Sequence, residues 1–407
     1  MSSQTPFMRP VVDHLEASRI REVANEGLGR DNVLKFWFGE SDEVTPGFIR
    51  EAAVASLQSG ETFYAHNLGL PELREAIAVY TDGLHPGRGA AHWMDRLAVT
   101  SGGVNGLMLA SQALVEAGDE VVVVTPAWPN LVAQPQIMGA HVKSVPLHVL
   151  SDGPRAGAWA LDTDALLSAI TPATRLLIVN APNNPTGWTL TREEQATILA
   201  HCRRTGTWIL ADEVYERLYY AGDTANGSAP SFLDVAEPAD RVIVAHSFSK
   251  SFLMTGWRLG WLVLPAALTA AMGKLIEFNT SCAPVFVQRG ATVALQRGAE
   301  VTPALVAHLK TCRDTLVPLL GAVPGVTLAE PLGGMYAFFT LQGHDDCLDV
   351  AKRLVREAGI GLAPGSAFSP EAAGWLRWCF ASRDTHRLEE GVSRLRRWIA
   401  AQPGGGT

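Results

Sequence analysis

The middle of the chain alternates short, continuously apolar runs with longer stretches whose apolar positions recur at helical spacing. Arg96–Thr100, Val121–Thr125, Arg175–Asn180, Thr207–Ala211 and Val242–Ala245 have strand length and are dominated by branched aliphatic residues. Runs apolar on both faces suit strands covered from both sides, and the helical patterns between them suit the crossovers that parallel strands require. After the first run, Leu107, Ala110 and Leu114 fall on one helical face. After the third, Thr191 and Glu194 have the spacing of a capping box. The pattern predicts an α/β fold built on a doubly wound, mostly parallel sheet.

The texture changes past Gln288. Thr302–Leu320 reads as one long helix, Met335–Thr340 and Leu376–Ala381 read as strands, and helical patterns lie between and after them. This part predicts a smaller α+β domain.

Composition narrows the function classes. Hydrophobic residues make up 47% and charged residues 18%, which excludes disorder. Lys+Arg 33 against Asp+Glu 41 gives a net charge of −8 with no basic block, so no nucleic-acid partner is expected. The apolar stretch Leu259–Gly273 is broken by Pro265 and Thr269 and falls short of the roughly 18 residues of a membrane span. The five cysteines contain no Cys-x-x-Cys pair and read as reduced thiols. Met1–Glu16 lacks the charged start and apolar run of a signal peptide, so the expected location is cytoplasmic. No metal site is expected, because Asp345-Asp346 in His344-Asp345-Asp346-Cys347 reads as the start of a helix.

Ligands of a doubly wound sheet bind beyond the carboxyl ends of its strands. Here five successive strand ends carry residues that packing alone would not request. They are Ser101-Gly102-Gly103-Val104, Pro126-Ala127-Trp128-Pro129, Asn180 through Asn183-Asn184-Pro185-Thr186-Gly187, Asp212-Glu213-Val214-Tyr215, and Ser247-Phe248-Ser249-Lys250. Glycines opening a helix let backbone N–H groups approach a phosphate, which the helix dipole favours. Ser247, Ser249, Lys250 and Arg258 add donors and positive charge. Arg258 sits in an apolar setting where an unpaired guanidinium would be costly, and Asp212 follows four largely apolar residues. A lysine, an anion cradle, an aromatic plane and a buried carboxylate together suit a planar cationic heterocycle bearing phosphate.

Pyridoxal 5′-phosphate (PLP) is such a heterocycle, and the chain resembles the fold type I PLP-dependent aminotransferases of the aspartate aminotransferase superfamily. The matching landmarks run in order: Gly39-Glu40-Ser41-Asp42, Tyr64 with Gly69 and Leu73-Arg74, Gly102-Gly103, Asn184-Pro185-Thr186-Gly187, Asp212 with Tyr215, Ser247-x-Ser249-Lys250, Arg258 and Arg377. The resemblance implies a large PLP-binding domain over 48–288 and a small discontinuous domain from both chain ends, 1–47 and 289–407. It implies that Lys250 forms a Schiff base with PLP and then moves the α-proton, with nearby cations such as Arg258 favouring its neutral form. Asp212 would hold the pyridine nitrogen protonated, and Asn184 and Tyr215 would bond the ring's phenolic oxygen, with Asn183 competing for the first of these roles. Trp128 would stack on the ring. Gly102, Gly103, Val104, Ser247, Ser249 and Arg258 would hold the phosphate, together with Tyr64 from the neighbouring subunit of a homodimer. Arg377, planar and permanently charged, would bind the substrate carboxylate beside Gly39 and Asn184.

The activity implied is a ping-pong transfer of an amino group from an L-amino acid to a 2-oxo acid. A PLP-dependent carbon–sulfur β-lyase is the alternative, followed by a non-catalytic PLP-sensing regulatory domain. Some aspartate aminotransferases carry a lysine after the glycine pair, whereas this chain has Val104-Asn105. The resemblance therefore leaves the substrate side chain open.

Overall fold

The computed structural model describes residues 8–152, 157–221 and 227–402. Residues 1–7 and 403–407 of the terminal segments expected in the smaller domain thus lie outside the described residues.

The larger sheet has seven strands: β1 (Leu97–Thr100), β2 (Glu120–Thr125), β3 (His141–Pro146), β4 (Thr174–Asn180), β5 (Trp208–Asp212), β6 (Val242–Ser247) and β7 (Gly260–Val263). Their spatial order is β1-β7-β6-β5-β4-β2-β3. The β6-β5-β4-β2-β3 pairings are parallel, whereas β7 runs antiparallel to both β1 and β6. This is the doubly wound, mostly parallel architecture the apolar runs predict. Alternate residues of β2 serve two cores: Val122 and Val124 pack on one face, Val121 and Val123 on the other.

The five expected strands are β1, β2, β4, β5 and β6; β3 and β7 are additional. At the sheet edge, β3 buries only Val145, so it presents no apolar run. Within the long apolar stretch, Pro265 ends the strand region and starts a helix, so one hydrophobic signal covers two elements.

The helices that frame the site are α1 (Gly47–Gln58), α2 (Gly103–Leu114), α3 (Arg192–Thr205), α4 (Ala266–Glu277), α5 (Val285–Gln296), α6 (Thr302–Gly321) and α7 (His386–Ala400). The capping box at α3 forms: Glu194 N donates to Thr191 Oγ1 at 3.2 Å, and Thr191 N donates to Glu194 Oε2 at 2.7 Å. Helix α5 continues through residue 288, and its Ala291 and Ala294 join the larger core with Ile49 of α1. The boundary expected between 288 and 289 therefore falls inside a helix. Residue 288 drew the boundary because the sequence texture changes there, but buried contacts continue to the end of that helix.

A second, antiparallel sheet contains β8 (Val326–Leu328), β9 (Tyr336–Leu341), β10 (Ala363–Pro364) and β11 (Trp375–Cys379), in the order β8-β9-β11-β10. Its core draws on α6 and α7 and on Ile20, Val23, Val33, Phe36 and Trp37 near the chain start. The early segment is laced in by Phe36 N donating to the Gly361 carbonyl at 2.8 Å and by Cys379 N donating to the Phe36 carbonyl at 3.1 Å. The five cysteines are free, and among the described residues no helix is long and apolar enough to cross a membrane.

Candidate active site

Strand ends of the larger sheet supply one side of the site, and the lacing segment with β9 and β11 supplies the other. At the end of β1, Gly102 takes a left-handed φ of 98° as the N-cap of α2. That φ favours glycine, and a Cβ there would also stand 2.5 Å from Arg258 Nη2. Ser247 Oγ donates to Ser249 Oγ at 2.9 Å, and Arg258 Nη1 lies 3.5 Å from that same Ser249 oxygen. Arg258 itself holds φ of 54°, a conformation a non-glycine residue adopts only when its surroundings over-determine it. Its Nη1 donates to the Thr255 carbonyl at 2.7 Å, which aims the fork. Ser247, Ser249, Arg258, Gly102 and Gly103 thus meet at the N-terminus of α2. Val104 occupies the first turn of that helix, half-buried, with its carbonyl accepting from Gln134 Nε2 at 3.0 Å.

Asp212 closes β5 and is buried, and its Oδ1 has no hydrogen-bond partner among the described residues. Burial pushes its pKa up to about 7, against the pull of the Val214 N–H and of Lys250. Lys250 lies across the crevice. Its Nζ donates to the Gly39 carbonyl at 2.5 Å and sits 5.6 Å from the centroid of the Tyr215 ring. Burial brings this amine down to about 8; Cys379 and Glu40 oppose the shift, while Arg377 and Arg258 add to it. The expected influence of cations is present, but desolvation leads.

Arg377, on β11, is fully buried with two fixed nitrogens. Its Nη1 donates to Asn184 Oδ1 at 2.9 Å, its Nη2 donates to the Trp37 carbonyl, and its Nε has no partner among the described residues. The two asparagines separate clearly. Asn183 holds the turn, with its Oδ1 accepting from Thr186 N (3.0 Å) and Thr186 Oγ1 (2.7 Å) and its Nδ2 donating to the Pro126 carbonyl at 3.2 Å. Asn184 faces Arg377.

Sequence reasoning missed Tyr336, which lies at the centre of this half. Its hydroxyl is 2.6 Å from the Tyr215 hydroxyl, and the Arg377 guanidinium lies 4.4 Å from its ring centroid. A Cβ on Gly39 would stand 2.0 Å from that hydroxyl, so the lacing segment needs glycine here. The only signal in the sequence is a tyrosine inside an apolar strand, which carries no functional mark.

No hydrogen bond ties Trp128 or Tyr64 to this cluster among the described residues. Trp128 is half-buried against the core that includes Leu107 and Leu131. Tyr64 is 89% exposed beside Phe63, itself 82% exposed, and makes no hydrogen bond to the cluster among the described residues.

Behind Asp212, on the other side of the sheet, Glu213 accepts from Ser231 Oγ at 2.5 Å and from Phe232 N at 2.9 Å. Burial pushes its pKa up to about 8, although both donors pull downward. Glu213, Glu216 and His246 bring ligand-type atoms within 4.8 Å of one another. The carboxylate of Glu213 is already committed to its two donors. Nearby, His85 Nδ1 pairs with Asp234 Oδ1 at 2.7 Å.

Comparison with known proteins gives the same answer along nearly the full length. Residues 32–395 match the family model "Aminotransferase class I and II". A probable aspartate/prephenate aminotransferase of Aquifex aeolicus is 30% identical over 98% of this chain and 98% of its own. The crystal structure of the Thermotoga maritima aspartate aminotransferase superposes with a TM-score of 0.85 at 31% identity, covering 97% of this chain and 100% of that one. An N-succinyldiaminopimelate aminotransferase from Mycobacterium tuberculosis gives 0.87 at 27% identity, over 96% of this chain and 99% of that one. Family match, fold and strand-end chemistry agree: the chain belongs to the class I and II aminotransferases, enzymes that depend on PLP.

Proposed function

We propose that this aminotransferase takes the amino group of an L-amino acid and passes it to a 2-oxo acid in two half-reactions, with PLP carried covalently on the Lys250 amine. The residues present fit that cofactor. The observation that carries the reading is Asp212 Oδ1: a carboxylate oxygen buried without a partner is costly unless a cationic donor meets it, and a pyridinium N–H is such a donor. A second fit is the cradle at Gly102, a helix N-terminus with two serines and an arginine, which suits a phosphate. When bound, PLP supplies the electron sink that stabilises charge developing at the substrate Cα.

The protein's own residues do the rest. Lys250 Nζ, with its pKa brought down to about 8, is neutral far more often at neutral pH than an exposed lysine; a neutral amine can both attack a carbonyl and take up a proton from Cα. Asp212 Oδ1 orients and charges the ring nitrogen. Arg377, held by Asn184 and the Trp37 carbonyl, presents a fixed guanidinium to the α-carboxylate. Tyr215, kept a neutral phenol by burial, donates to the cofactor's phenolic oxygen. Ser247, Ser249, Arg258 and the backbone at Gly102–Val104 bind the phosphate. We further propose a homodimer in which Tyr64 reaches the phosphate site of the partner subunit, supported by the exposure of Phe63, Tyr64 and Phe278.

Neutral residues follow the glycine pair: Asn105 accepts from Ser101 N at 3.1 Å and donates to Asn279 Oδ1 at 2.9 Å. A preference restricted to dicarboxylates is therefore not expected. A panel of donors and 2-oxo acids, scored by product mass spectrometry, tests the reading. Pyridoxamine phosphate accumulating with a single amino acid supports it. Ammonia with pyruvate would replace it with the lyase.

A further inference from the structure

We infer that Tyr336 is a positioning residue that couples the two halves of the site: its hydroxyl donates to Tyr215 and its ring face holds Arg377. The inference rests on the roles proposed above for Tyr215 and Arg377. Tyr336 is fully buried on β9, 121 residues from its partner phenol in sequence, with the two hydroxyls 2.6 Å apart and the rings edge-to-face at 79°. The charged and titratable groups around it are Tyr215, Arg377, Cys379 and Asp212. Burial raises both phenols, so each remains protonated through the neutral range.

Two neutral phenols sharing one hydrogen bond leave one proton over. Among the described residues neither hydroxyl has another hydrogen-bond partner. If Tyr215 donated to Tyr336, the Tyr336 proton would be buried with nothing to receive it, at the cost of an unmade hydrogen bond. In the order Tyr336 to Tyr215 to the cofactor's phenolic oxygen, every proton has an acceptor. Each bond in such a chain polarises the next, so Tyr215 becomes a stronger donor than it would be alone. The ring does separate work. The guanidinium carbon of Arg377 lies 4.4 Å from the Tyr336 centroid and 4.9 Å from that of Phe368, so the arginine is held between two aromatic faces.

The test uses the PLP-loaded protein and its visible absorption, followed against pH. A strong donor on the phenolic oxygen draws charge from it and lets the neighbouring nitrogen release its proton at lower pH. Tyr336→Phe removes the hydroxyl and keeps the ring, and should raise the absorption midpoint by about half a pH unit, with Tyr215→Phe raising it further. The KM for the amino acid should stay near the parental value in Tyr336→Phe and rise roughly tenfold in Tyr336→Leu, which also removes the face under Arg377. A Tyr336→Phe midpoint equal to the parental one overturns the inference, and so does a Tyr336→Leu protein with unchanged KM. Failure of the underlying reading looks different: the parental protein would then bind PLP without a pH-dependent chromophore, or Lys250→Ala would retain that chromophore.

Discussion

Asp212 and Glu213 are adjacent buried carboxyls, and burial raises both, to about 7 and about 8. By burial and charge alone they are equivalent. They differ in what meets the oxygens. Glu213 receives a serine hydroxyl and a backbone N–H, so both of its carboxyl oxygens are met within the fold. Among the described residues Asp212 keeps Oδ1 unpartnered, with the Lys250 charge acting on it. A perturbed pKa therefore does not separate a structural acid from a functional one; the inventory of partners does.

The largest expected effect comes from exchanging the two roles. Asp212→Ala should lower turnover at least about a thousandfold, whereas Glu213→Ala should leave turnover per folded molecule within a fewfold. Comparable losses of turnover from both variants would break the comparison. Glu213→Ala abandons the Ser231 hydroxyl and the Phe232 N–H inside the core and should cost about 2–4 kcal/mol in urea unfolding.

A smaller effect sharpens the contrast through pH. Both acids ionise at higher pH folded than unfolded, so between the two values the native state holds protons that the unfolded state has released. Stability therefore falls as pH rises, from about 4 to about 7 on account of Asp212 and from about 4.5 to about 8 on account of Glu213. PLP should abolish the first component and leave the second, which unfolding of the apo and PLP-loaded proteins at about pH 5 and about pH 8 would resolve. The smallest effect concerns the other half of the site. Gly39→Ala should cost more in the parental protein than in Tyr336→Phe, because the phenolic oxygen 2.0 Å from the added Cβ is then gone. A double-mutant cycle on substrate KM should show about 0.5–1 kcal/mol of coupling.

The sequence made most of the site readable and hid Tyr336. Asp212, Ser247, Lys250 and Arg258 stand out because strand ends in a doubly wound sheet converge, so polar residues there have a topological reason to be read together. Arg377 stood out as a charge among apolar neighbours. Tyr336 had no such mark: it is an aromatic residue in a buried strand, and its meaning comes from Tyr215 in the turn that follows β5 of the other sheet. The antiparallel direction of β7 was equally silent, since an apolar run fixes burial without fixing direction. Asn183 and Asn184 have identical chemistry, and only the direction of each side chain separates the turn former from the arginine's partner.

The lacing of residues 36–39 has a consequence for the order in which the protein is made. The Trp37 carbonyl that fixes Arg377 precedes it by 340 residues, and the Gly39 carbonyl that receives Lys250 precedes it by 211. A ribosome releases this stretch early, yet apart from Lys250 the partners it grips, Gly361, Arg377 and Cys379, come only near the end of synthesis. A nascent chain halted before β11 could complete much of the seven-stranded sheet and still lack Arg377, so under the role proposed for it competence for amino-acid substrates arrives with the last few dozen residues.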